Sequence, residues 1–178
     1  MADVAEAIGD PRLAALYRYW DKRRGGREMP SRADIEPTDI PRLLPILLLV
    51  DVEPDRTLRY RLIGTEFVTV ARRDVTGRSY AEVFPPGAYR DYIFALYDEL
   101  IGGRLPIYTE GVSPIAGSDR RRYTRRLMLP LSTDGDRIDM VLGGQIYEMT
   151  SDPGRLALRD GPGPYVETMR RTLGPASP

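Results

Sequence analysis

Apolar and polar positions along this chain follow two rhythms, one helical and one strand-like. The helical rhythm is clearest twice. In DPRLAALYRYWDKRRGG, Leu13, Leu16, Tyr17 and Trp20 recur at i, i+3, i+4 and i+7, a single amphipathic stripe. Asp10 suits the N-cap and Pro11 the first helical position. Lys22, Arg23 and Arg24 fall in the last turn, where the helix dipole favours cations, and Gly25 or Gly26 stops the helix. In PGAYRDYIFALYDELIGG, Tyr89, Tyr92, Ile93, Leu96, Tyr97, Leu100 and Ile101 keep helical spacing, and Gly102-Gly103 ends it.

The strand rhythm is read five times. ILLLVDV (46–52) is continuously apolar, as in a buried strand, and LRYRLIG (58–64) alternates. That alternation places Leu58, Tyr60 and Leu62 on one face and Arg59 and Arg61 on the other. Three further segments, 106–115, 121–131 and 137–149, are separated by AGSD and STDGD, both hairpin-type turns. Residues 30–45 carry four prolines, which allows only short helical turns and extended pieces. Ser79 and Glu82 have capping-box spacing. The expected order is helix, two strands, helices, three strands. This is an α+β arrangement with a five-stranded antiparallel sheet and helices inserted between strands 2 and 3. The segments are an N-terminal helix (1–29), a central domain (30–149) and a Gly/Pro-rich tail (150–178), within which a short helix is expected over 165–173.

Gly64 ends a strand where a helix begins, a place that often holds phosphate. The segment from Leu62 to Val75 has one glycine and no lysine, so neither a P-loop nor a dinucleotide fingerprint can be built there. Gly64 is read instead as a corner, with Thr65 capping the helix that follows. Asp74, before Val75-Thr76-Gly77, is read as bonding its own turn.

Composition narrows the chemistry. The 178 residues suffice for one domain that buries about 70% of its unfolded surface. Lys+Arg 26 balances Asp+Glu 26, so no net field draws the chain to nucleic acid or to an anionic membrane. There is no Cys and no His. A disulfide framework, a thiol nucleophile and a Ser-His-Asp triad are excluded. No pair of carboxylates at defined spacing points to catalysis, and no enzyme is expected. The most apolar run, LLPILLLV, is short of the roughly 20 residues that span a bilayer. A cytoplasmic protein with no membrane or nucleic-acid partner is the expectation.

The order of elements resembles a PAS domain. The pieces that carry this are YRLIGTEFVTVARRDVTGRSYAEVF, RRYTRRLMLPLSTDGDRIDMVLGG and LYRYWDKRRGGREMPSRADIEPTDIPRLLP, and they look like a bacterial single-domain PAS subfamily. The resemblance covers roughly 10–149. It implies a sensor that holds a small molecule between sheet and helices and signals in trans through a partner protein. The alternative is a ligand-free interaction module with a filled core. Within such a family, the missing Cys excludes a thiol-linked flavin or chromophore, and the missing His excludes His-ligated haem. The cofactor is therefore unknown, and a dissociable organic ligand is expected.

Tyr60, Leu62, Phe67, Phe94, Tyr108, Leu127 and Leu129 are the cavity candidates; the bland alternative is that they fill the core. In DRRRYTRR (119–126), alternation against Leu127 puts Arg125 on the face of the inward leucines. There it would be a buried cation needing a carboxylate, which a ligand could supply, unless a bulge flips the register. The stripe of the first helix is expected to pack on the domain or on a second protomer, giving a homodimer.

Overall fold

The computed structural model describes residues 4–115, 120–150 and 165–174. Helix α1 spans Pro11–Arg24, α2 Thr65–Ala71, α3 Tyr80–Val83 and α4 Ala88–Gly103. Strands β1 (Leu47–Val52), β2 (Leu58–Ile63), β3 (Ile107–Pro114), β4 (Arg121–Leu131), β5 (Met140–Thr150) and β6 (Val166–Thr172) form one antiparallel sheet in the order β2-β1-β5-β4-β3-β6. The helices inserted after β2 and the N-terminal helix occur as expected. Among the described residues the sheet has six strands rather than five. The sixth comes from the tail: the stretch expected as a short helix pairs with β3, because Val166, Glu167 and Met169, all half-buried, and the free β3 edge reward an extended chain. The turn expected at 116–119 lies outside the described residues.

Pleat alternation divides the sheet cleanly. On β4, Arg122, Thr124, Arg126 and Met128 point to one face and Tyr123, Arg125, Leu127 and Leu129 to the other. Helix α1 covers the second face. Asp10 caps it, its Oδ1 accepting from the Arg12 N–H at 2.8 Å, and Gly25 ends it with φ 57°. Leu13, Leu16, Tyr17 and Trp20 are all buried against the chain's own sheet. The Trp20 indole donates to the Pro130 carbonyl at 2.9 Å. That proline is tolerated because β3 ends opposite Met128, so β4 has no neighbour on that side to bond. The apolar stripe behind the homodimer expectation is thus occupied within the chain.

The prolines of 30–45 give the expected short turns, at Arg32–Asp34, Pro37–Asp39 and Leu44–Ile46. The last of these explains Gly64. Its N–H donates to the Leu47 carbonyl at 2.7 Å, and a Cβ there would collide with the Pro45 carbonyl and stand 2.6 Å from that of Leu44. The glycine serves a close backbone crossing, and the N-cap is Gly64 itself with no side-chain bond. Asp74 bonds its own turn, accepting from Thr76 N–H at 2.8 Å. Ser79 and Glu82 close a reciprocal capping box, with Glu82 accepting from the Ser79 N–H at 2.7 Å and Ser79 Oγ accepting from the Glu82 N–H at 3.2 Å.

Two glycine-to-alanine changes should therefore differ. Gly64→Ala meets backbone and should destabilise by about 1–3 kcal/mol. Gly144→Ala meets only the side-chain ends of Leu13 and Leu16, at 2.6 and 2.8 Å, which can shift. Denaturant melts of both variants check this; equal losses, or a larger loss at Gly144, would refute the backbone-crossing account.

Candidate functional site

A cavity of about 370 Å³ lies between the sheet and the layer formed by α2, α3 and α4. Its floor is the even face of β4 with the facing positions of β5: Thr124 pairs with Tyr147, Arg126 with Gln145 and Met128 with Gly143. The absence of a side chain at Gly143 leaves the floor low, and a Cβ there would press Leu48 at 3.1 Å. Tyr60 closes the β2 side. Phe67 and Ala71 come from α2, Tyr80 from α3, and Tyr89, Ile93 and Tyr97 from α4.

Aromatic rings make up one end of this space. Tyr60 stacks on Tyr80 with centroids 4.3 Å apart, Phe67 tilts against Tyr60 at 5.7 Å, and the hydroxyls of Tyr80 and Tyr97 bond at 2.9 Å. Burial raises the pKa of Tyr60, Tyr80 and Tyr97 well above that of an ordinary phenol.

The other end is polar and is built round Arg126. Its Nε donates to Gln145 Oε1 at 3.2 Å and its Nη2 to the Tyr89 hydroxyl at 3.0 Å; Gln145 in turn donates to the Tyr147 hydroxyl at 2.7 Å. Arg126 is 6% exposed and its Nη1 has no acceptor. Arg122, four residues earlier on the same face, lies over the Tyr147 ring at 5.8 Å. Tyr165, just before β6, closes the space by sitting over Gly111, where any Cβ would clash with its ring; it packs on Tyr92 with centroids 4.7 Å apart.

The eight residues singled out from sequence divide. Tyr60 and Phe67 line the cavity. Leu62 does not: it is 42% exposed, because β2 bulges at Arg61. Tyr60 faces Val50 and Leu62 faces Leu49, so one extra residue sends Leu62 to the opposite side from Tyr60. Phe94 sits on the flank of α4 under Arg90, 5.4 Å from its guanidinium, outside the lining. Leu129 lies on the α1 face. Leu127 borders the cavity between Arg126 and Met128, but the pleat turns its side chain to the face on which its pairing partner Gly144 meets Leu13 and Leu16.

Tyr108 and Arg125 also lie on the α1 face, and there the chain itself supplies the carboxylates. Arg125 Nη1 donates to Glu148 at 2.6 Å, and its Nε stands 3.7 Å from Glu110. The Glu110 carboxylate accepts from the hydroxyls of Tyr108 and Tyr123, and Tyr108 accepts from the Gly9 N–H at 3.1 Å. This cluster anchors the entry into α1. Burial first, then the Glu110 hydrogen bond, raises the Tyr108 pKa.

Sequence reasoning missed Arg126, Gln145, Tyr147 and Tyr165. One signal was present for the last. A glycine in a strand interior, Gly111, marks close approach by something else. Among the described residues no group of His, Cys, Asp or Glu could hold a metal, and no helix is long and apolar enough to cross a membrane.

An antiparallel sheet that carries its cavity under helices inserted after the second strand is the architecture of a small sensory or interaction domain. Residues 9–146 match the family model of the PAS domain, and the chain belongs to that family. Its members are in general sensory or interaction modules rather than enzymes. No curated protein is matched by the chain.

The tyrosines generate an alkaline prediction. A neutral phenol is favoured in the fold, so the folded pKa exceeds the unfolded value of about 10. Stability from these groups is complete below about pH 10 and declines above it, because the unfolded chain releases protons that the fold retains. Of the eleven tyrosines, Tyr60, Tyr80 and Tyr97 should yield phenolate absorbance only together with loss of circular dichroism. Full phenolate absorbance from a still-folded protein would contradict their burial.

Proposed function

We propose that this protein is a sensory PAS module that holds a small organic molecule non-covalently in the cavity between its sheet and α2–α4. The single observation that carries the reading is the cavity itself, about 370 Å³ with a mostly apolar, aromatic wall and a few fixed polar groups at one end. The chain has no thiol and no imidazole, so neither a thiol-linked chromophore nor His-ligated haem is available to fill it. The ligand's effect passes, on this reading, to a partner protein through surface contacts.

Native mass spectrometry of the purified protein tests for a bound molecule directly. A ligand at about 100 times its dissociation constant should stabilise the fold by roughly 2.7 kcal/mol, a rise of several degrees in melting temperature. Ala71→Trp places a ring in the cavity and should abolish that rise while the circular dichroism spectrum stays unchanged. If the purified protein carries no extra mass and Ala71→Trp responds to a compound library as the parent does, the ligand reading fails. The ligand-free interaction module then takes its place.

A further inference from the structure

Two neighbours on β4 are treated in opposite ways. Arg125, with 11% of its side chain exposed, has Glu148 and Glu110 as counter-ions. Arg126 is more deeply buried in the sheet and has none: among the described residues its partners are Gln145 and Tyr89, both neutral, and Nη1 has no acceptor. A guanidinium stays charged at any working pH. Burying one without a counter-ion is strongly unfavourable, and folds normally pair or expose it. The wall in which it stands repeats the imbalance. Among the described residues the cavity lining holds Arg122 and Arg126 and not one Asp or Glu, although the chain as a whole is neutral. Arg122 Nε is likewise buried without a partner.

We infer that the molecule this cavity takes is an organic carboxylate, its acid group pairing with Arg126 and its apolar body lying against Tyr60, Tyr80 and Phe67. A neutral apolar ligand would leave the guanidinium as unsatisfied as before. A phosphate dianion calls for more donors than the one free nitrogen of Arg126 and the partly buried Arg122 supply. A monoanion answers the one deeply buried charge. Gln145 and Tyr89 hold Nε and Nη2, so the guanidinium is oriented before the ligand arrives. The inference rests on the reading of the cavity as a ligand site and specifies the chemistry of what enters it.

The test uses the full chain and paired probes: phenylacetate, indole-3-acetate and octanoate, each beside its own amide, with phenyl phosphate as the dianion. Binding is read by calorimetry at neutral pH. At least one acid should bind, and its amide should bind about tenfold to a hundredfold more weakly, the range for losing a hydrogen bond to a charged group. Arg126→Met should cost the acid the same factor and cost the amide less, since the amide carbonyl can accept a hydrogen bond from Arg126 but brings no charge to it. Arg126→Lys should recover part of the loss. The melting temperature of ligand-free Arg126→Met should equal or exceed that of the parent, since an uncompensated buried charge has gone; a merely structural arginine would give a marked fall. Amides that bind as well as acids, phenyl phosphate that binds more tightly than every carboxylate, or a marked fall in the Arg126→Met melting temperature overturns the carboxylate inference and leaves the cavity reading standing. If no probe binds and the purified protein carries no ligand, both are overturned.

Discussion

Eleven consecutive residue pairs join β4 to β5, from Arg121 with Thr150 to Leu131 with Met140, without a bulge. This unbroken register fixes which side chains share a face, and the rest of the molecule is arranged round that choice. Shifting it by one residue would exchange the two faces. Arg126 and Gln145 would then lie under α1, and Leu127 would enter the cavity. The ladder is also where both helical layers meet the sheet, so it is buried on both sides: from Tyr123 to Leu131 every residue but Arg125 is buried.

That double burial explains what could be read in the sequence and what could not. Helix α1 was legible because caps, stripe and stop signals agree, and α4 because seven apolar positions keep one period. The capping box at Ser79 and the turn at Asp74 were legible because their bonds are local. For a strand covered on both faces, alternation names two sets of residues without saying which faces a cavity. The reading chose the set with Leu127 and Leu129, and with it Arg125. The cavity belongs to the other set, one residue away. Leu62 was lost to a bulge, which depends on the partner strand and leaves no mark in the local pattern. Strand β6 was missed because its residues are half-buried or exposed, and pairing with an edge far away in the sequence is a tertiary decision.

The same alternation sorts the charges. An arginine run that reads as one basic patch is split by the pleat into separate environments. Arg125 joins a network of Glu148, Glu110 and tyrosine hydroxyls that fastens the chain leading into α1. Arg126 joins a chain of neutral groups running from Tyr89 to Tyr147. The first network gives its guanidinium carboxylate partners from within the protein. The second gives its guanidinium none among the described residues, and the difference lies in which face of one strand each side chain occupies.

Gly143 and Gly144 stand side by side in the middle of β5, one on each face. Gly143 keeps the cavity floor clear beneath Leu48, and Gly144 lets Leu13 and Leu16 of α1 settle onto the sheet. At this point the sheet carries no side chain at all, and only a ribbon of peptide groups separates the interior of the cavity from the underside of the N-terminal helix. The partition between the two halves of the molecule is therefore thinnest at its centre, with the cavity on one side of that membrane of main chain and α1 on the other.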